Sequence, residues 1–213
     1  MLGNDIWIRK QCIHPARNQI EGLGREGDNL HTCPNGGISI LPMITPFEPN
    51  QVRVGDDGNK VLSFGTSSFG YDIRAEPKWK YLDTAKLITL DPKRCNEEAF
   101  KEYCGDSYVI PPNSFVLAVT IERFNIPRNV LATCIGKSTY ARLGIVVNVT
   151  PLEPEWEGHL VLELSNTTEQ PVRVYANEGI AQLMFHISED CGTSYADRGG
   201  KYQHQEGIVL PKL

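Results

Sequence analysis

From residue 108 to residue 185 the chain repeats one pattern: a short β-branched or aromatic run, closed by proline, glycine or asparagine. Tyr108-Val109-Ile110 runs into Pro111-Pro112-Asn113, and Phe115-Val116-Leu117-Ala118-Val119-Thr120-Ile121 follows. Runs at 130–134, 145–150, 159–164, 172–175 and 180–185 continue the series. Such side chains suit a pleated, half-buried surface, and turns this frequent leave no room for the helical crossovers of a parallel sheet. The chain is therefore expected to be mainly β, a barrel or sandwich, with strand signals beginning near residue 60. Two short helices are predicted. One starts at Asn96-Glu97-Glu98-Ala99-Phe100, with a capping residue and first-turn acids, and stops at Gly105. The other follows Gly136.

A length of 213 residues suits one domain, and 40% hydrophobic against 22% charged residues is enough to build a core. With 21 Lys and Arg against 26 Asp and Glu, the net charge is -5 and no basic run stands out. Phosphate backbones call for clustered cations, so nucleic acid is not expected as a partner. No apolar run reaches the ~18 residues that cross a bilayer, and Met1-Leu2-Gly3-Asn4-Asp5-Ile6 does not read as a secretory signal. Neither membrane nor secretion is expected; a cytoplasmic location is, with the six cysteines as reduced thiols.

Residues 11–42 differ in texture. Gly22-Leu23-Gly24-Arg25-Glu26-Gly27-Asp28-Asn29 follows neither the helical nor the strand period, and Pro34-Asn35-Gly36-Gly37 is turn chemistry. This segment reads as a surface loop inserted into a single domain spanning 1–213. It holds Cys12-x-His14 and His31-x-Cys33, a mirror-image set of metal-ligand types. One intervening residue is fewer than structural zinc usually takes, so an ordinary loop is the favoured reading.

Three segments carry chemistry. In Gly136-Lys137-Ser138-Thr139-Tyr140-Ala141-Arg142-Leu143-Gly144 a strand ends in hydroxyl and cationic residues at the start of a helix, an arrangement suited to phosphate, though an N-capped surface turn reads equally well. Glu163 stands inside Leu160-Val161-Leu162-Glu163-Leu164, where alternation puts the leucines on one face and Val161 with Glu163 on the other. That carboxylate either meets solvent or sits in a pocket, where burial would raise its proton affinity. The tail Tyr195-Ala196-Asp197-Arg198-Gly199-Gly200-Lys201-Tyr202-Gln203-His204-Gln205-Glu206-Gly207 reads as a loose end or as a lid, with Arg198 and Lys201 facing phosphates.

Together these segments closely resemble the dCTP deaminase family. The match rests on Gly136-Lys137-Ser138-Thr139-Tyr140-Ala141-Arg142, on Val149-Thr150-Pro151-Leu152-Glu153-Pro154-Glu155-Trp156-Glu157-Gly158-His159 and on Leu162-Glu163-Leu164-Ser165-Asn166. Phe69-Gly70-Tyr71-Asp72-Ile73-Arg74, Glu178-Gly179-Ile180-Ala181-Gln182 and Lys201-Tyr202-Gln203-His204-Gln205 extend it from about residue 43 to the end, with Trp7-Ile8-Arg9 resembling the usual start.

The resemblance implies a dUTPase-like distorted β-barrel (β-clip) with a few short helices. It implies a homotrimer with active sites at subunit interfaces, and a C-terminal lid at about 194–213. The implied reaction is hydrolytic deamination of dCTP to dUTP and ammonia, feeding dUMP and dTTP supply. Glu163 would be the general acid and base, with Ser138 and Arg142 holding the water and polarising the reacting centre. Lys137, Ser138 and Thr139, with Tyr140 and Ala141 in the same loop, would bind the triphosphate. The backbone of Val161 and Leu162, with Gln182, would line the nucleoside pocket, and Tyr195, Lys201 and Gln205 would close over it. Mg²⁺ is expected only with the phosphates, and no catalytic zinc, since the H-x-E and P-C-x-x-C signatures of zinc deaminases are absent. dTTP is a possible feedback ligand. Two departures stand out: His204 where relatives often have glycine, and Glu153 where many have Asp. The longer carboxylate weakens the case for a bifunctional enzyme releasing dUMP and pyrophosphate. A dUTPase, or a catalytically silent nucleotide-binding module, is the remaining alternative.

Overall fold

The computed structural model describes residues 1–13, 30–32, 38–83, 85 and 89–212. The chain opens with helix α1 (Asp5–Cys12), then strands β1 (Leu30–Thr32), β2 (Ile38–Ile40), β3 (Ile44–Thr45), β4 (Gln51–Val54), β5 (Lys60–Ser67) and β6 (Gly70–Leu82). A 3-10 turn at Glu97–Ala99 leads to β7 (Phe100–Cys104), β8 (Ser107–Ile110), β9 (Phe115–Asn125) and β10 (Val130–Gly136). Helix α2 (Ser138–Ala141) precedes β11 (Ile145–Asn148), β12 (Glu157–Asn166), β13 (Val172–Tyr175) and β14 (Gly179–Ile187). The mainly β expectation holds, and every run picked out from residue 108 onward contains a strand.

The main sheet follows the order β10-β14-β6-β9-β12-β11, and its pairings are antiparallel. β6 changes partners along its length. Its first half pairs with β5 and β14, and its second with β7 and β9. The ladder to β9 shifts between Ala75 and Trp79, the stretch that holds Pro77, which has no N–H to give. This break lets the sheet curl. Its two ends then meet, because Ala132 on β10 exchanges hydrogen bonds with Leu152, just beyond β11, at 3.0 and 2.8 Å. Trp79, Tyr71, Phe124, Phe185 and Leu162 fill the interior of the curl and are fully buried.

Two local readings are corrected. The helix expected from Asn96 to Gly105 is only the 3-10 turn, capped where the Glu98 N–H donates to the Asn96 side chain. From Phe100 the chain becomes β7, paired along β6 from Leu82 to Lys78, and this ladder overrides the local helix signal. At the other end, α1 extends into the segment read as a loop. Asn4 caps it by accepting from the Trp7 N–H at 2.9 Å, and Ile8 and Cys12 enter the core. The Met43 N–H donates to the Gln11 carbonyl at 3.0 Å, so the two ends of the inserted segment lie side by side. Within it β1 and β2 pair as a small antiparallel ribbon. His14 and Cys33 of the four-ligand set lie outside the described residues.

Candidate active site

β12 carries Glu163 between β9 and β11, opposite Leu117 on one side and Asn148 on the other. Leu160, Leu162 and Leu164 point into the core, as the alternation requires, which leaves Val161 and Glu163 on the opposite face. That face opens into a cleft of about 910 Å³ whose walls include Phe115, Leu117, Leu131, Val149 and Val161. Of the two readings left open for Glu163, the pocket is the one observed. Burial among these apolar groups pushes its carboxyl up to about 7, against a small opposing effect from its own backbone N–H.

The tail lies over the same cleft, to which Tyr195, Lys201, Tyr202 and Gln205 contribute. Its docking runs through backbone. Gln205 forms an isolated parallel β-bridge with Gly158, the His159 N–H donates to the Gln205 carbonyl at 2.9 Å, and the His204 N–H donates to the Glu157 carbonyl at 2.7 Å. The Gln205 amide nitrogen donates to the His159 carbonyl at 2.7 Å, and the Trp156 indole to the Tyr202 carbonyl at 3.0 Å. Gly158 permits this approach: it adopts φ +148, and a Cβ there would come within 2.9 Å of the Gln205 backbone. His204 takes a left-handed φ of 54, a conformation in which glycine is freer.

Arg198 and Lys201 are exposed, and each has a partner within the chain. Arg198 pairs with Glu153 and lies over the Tyr195 ring, while the Lys201 ammonium donates to the Lys212 carbonyl at 2.6 Å. Sequence reasoning missed the anchor beneath them. Arg128 reaches Glu155 at 2.8 Å, Asp197 at 2.7 Å and the Cys191 and Gly192 carbonyls, tying the β9–β10 turn to the start of the tail. It also missed the wall formed by Leu90, Pro92 and Phe100, which carries no motif.

The remaining candidates lie elsewhere. Ser138, Thr139, Ala141 and Arg142 are exposed on and beside α2 and do not line the Glu163 cleft. Arg142 donates to the Ser138 carbonyl at 3.2 Å. Tyr140 faces the core, its hydroxyl accepting from the Tyr175 N–H at 3.0 Å, so only its backbone can meet a ligand. Leu162 likewise turns its side chain into the core and does not line the cleft. α2 ends as Gly144 turns to φ +77, the left-handed close of a helix. Lys137 donates to Asp72 at 2.5 Å, and the Gln182 amide nitrogen to Ser67 at 2.8 Å. A single chain thus presents two separate groups: Glu163, Val161, Tyr195, Lys201 and Gln205 at one cleft, and the 137–142 loop with Gln182 outside it. Among the described residues no cluster of His, Cys, Asp and Glu gathers into a metal site. No helix there is long and apolar enough to cross a membrane.

Comparison with known proteins places the chain by class. The sequence model of the family described as dCTP deaminase-like matches residues 40–188, well over half of the chain. The chain is 58% identical to the dCTP deaminase of Paraburkholderia xenovorans over 171 residues, covering 80% of this chain and 90% of that one. Identity and coverage are the same for the dCTP deaminase of Albidiferax ferrireducens. The chain belongs to the dCTP deaminase family. Among solved structures, the 2'-deoxycytidine 5'-triphosphate deaminase of Agrobacterium tumefaciens aligns with a TM-score of 0.48 at 20% identity, covering 58% of this chain and 40% of that one. The EIAV dUTPase aligns with a TM-score of 0.38 at 19% identity, covering 47% and 85%.

Proposed function

We propose that the protein hydrolyses dCTP to dUTP and ammonia, with Glu163 carrying the protons. A carboxyl with a pKa near 7 accepts and returns protons at neutral pH with little driving force lost either way. Glu163 takes a proton from the attacking water and delivers it to N3 as oxygen bonds to C4. It then moves the hydroxyl proton of the adduct to the exocyclic amine, which leaves as ammonia while the C4 carbonyl forms. The apolar walls of the cleft keep bulk water away, and Ser138 and Arg142 hold the water and the reacting centre. The observation that carries this reading is Glu163's place in a cleft that raises its pKa to about 7.

Ser138 and Arg142 do not face the Glu163 cleft of their own chain, so the reading takes a homotrimer in which a neighbour supplies them. Leu131 and Ile135 on β10, with Leu143 and Val146 nearby in sequence, are exposed apolar residues available for such a contact. Lys137, Ser138 and Thr139 then hold the triphosphate, and Gln182 with the backbone of Val161 and Leu162 holds the nucleoside. Tyr195, Lys201 and Gln205 close over it. Mg²⁺ arrives on the nucleotide's phosphates as part of the substrate. dTTP, sharing triphosphate and deoxyribose, is the proposed feedback ligand, and the reaction serves dUMP and dTTP supply in the cytoplasm.

The bifunctional alternative calls on Glu153 for a second hydrolysis. That carboxylate is already paired with Arg198, which favours deamination alone. Incubating the protein with dCTP and separating the products by chromatography tests both readings. dUTP and ammonia in equal amounts are expected, whereas dUMP and pyrophosphate would establish the bifunctional enzyme and unreacted dCTP would refute both.

A further inference from the structure

We propose that Asp72 is a positioning residue that fixes the Lys137 ammonium for the triphosphate. The proposal rests on the reading of Lys137 as a phosphate ligand. Asp72 lies in β6 between two partners, opposite Gly65 of β5 and Gln182 of β14, near the middle of the curled sheet. Lys137 comes from the far end of β10, 65 residues later, and its ammonium donates to Asp72 Oδ2 at 2.5 Å. The two side chains are only 13% and 5% exposed, so this is not a solvated surface pair. The Gln51 amide donates to the same oxygen at 3.2 Å, and Arg53 in turn donates to the Gln51 carbonyl oxygen at 2.8 Å. The carboxylate is thus itself held from β4.

A free lysine head group loses much rotamer freedom on meeting a ligand, and a head group already fixed loses little. An ammonium has three N–H donors. One goes to Asp72, and two remain for phosphate oxygens beside Ser138 and Thr139. The pair also sets where the loop leaves the sheet, because Lys137 is the residue before the first turn of α2. Asp72 touches no substrate in this arrangement, and its effect passes through Lys137.

The test is a double-substitution cycle on the intact protein, reading dUTP and dUMP affinity by calorimetry with Mg²⁺ present. Lys137→Ala is expected to weaken dUTP binding about 10-fold or more, and Asp72→Asn about 5-fold. The double substitution should be no weaker than Lys137→Ala alone, with dUMP changing less than dUTP in each case. Additive losses, or dUTP binding that is unchanged or tighter in Asp72→Asn, overturn the proposal; tighter binding would mean that Asp72 sequesters the lysine. Unchanged dUTP binding in Lys137→Ala would instead remove the phosphate role of Lys137 on which the proposal rests. Should Asp72→Asn fail to fold, the wild-type protein decides. The Lys137 ammonium, assigned by its loss in Lys137→Met, should give a slowly exchanging ¹⁵N–¹H signal that shifts with dUTP. An ammonium signal absent from the free protein, or indifferent to dUTP, overturns the proposal.

Discussion

Glu163→Gln is expected to lower kcat for dCTP deamination by roughly 10²–10⁴-fold while nucleotide affinity stays within a few-fold of wild type. Glutamine keeps the shape of the side chain and fills the same space between Leu117 and Asn148, but it cannot take a proton from water and return it. Stopped turnover with intact binding therefore separates the proton role from a packing role. The same substitution has a second consequence, on stability. The folded carboxyl titrates at about 7, above its ordinary 4.5, so between those values the folded state holds more protons than the unfolded one. Stability supplied by the protonated form is complete below about pH 4.5 and is lost as pH rises through 7. Glutamine has no charge to bury. The variant should thus melt about 2–4 °C above wild type at pH 8 and together with it at pH 4, provided both fold at that pH. Near-wild-type turnover in Glu163→Gln would remove the residue from the mechanism. Equal melting at pH 8 would show that the carboxylate is well solvated there.

The second large effect is expected from Gly158→Val. The glycine sits where β12 meets the tail, at φ +148, and any Cβ would press on the Gln205 backbone from 2.9 Å. A β-branched side chain adds both the collision and a backbone conformation it rarely adopts. The 203–205 segment should then fail to dock, taking Lys201 and Gln205 away from the cleft. Displacing positioning groups by about 1 Å can cost about 10²-fold, and a fall of that order in kcat/KM is expected. Limited proteolysis is the companion measurement, with cleavage appearing between residues 199 and 207 in the variant and not in wild type. Wild-type kinetics together with an exposed tail would mean that the lid has no part in turnover.

How much of this was legible in the amino-acid order follows from the range of the forces involved. The period of two in Leu160-Val161-Leu162-Glu163-Leu164 displays its two faces locally, so β12 and the side on which Glu163 lies could be read directly. Whether that side was wet or dry could not, because the walls of the cleft come from β9, β10 and the 89–96 segment, far away in the chain. β7 failed for the same reason: Asn96-Glu97-Glu98 is a sound helix start, and only the ladder to β6 turns the chain extended at Phe100. α1 was missed because its apolar face is short, Ile8 and Cys12 being its only buried residues. The 137–142 loop showed its cations and hydroxyls plainly. Nothing near Lys137 pointed to Asp72, and nothing near Arg128 pointed to Asp197, since ion pairs between distant strands leave no periodic trace. Arg198, which the lid reading of the tail turns toward phosphates, has the Glu153 carboxylate as its neighbour, a partner 45 residues away that its own surroundings in the sequence do not announce.

The central claim is that a carboxyl removed from water titrates near neutrality and moves the protons of the reaction. The pH dependence of kcat/KM for dCTP tests it most directly, since that profile reports the essential groups of the free enzyme. A limb that bends near pH 7 is expected in wild type and should be absent from the residual activity of Glu163→Gln. A profile that stays flat from pH 5.5 to 8, or bends only near pH 4.5, would contradict it.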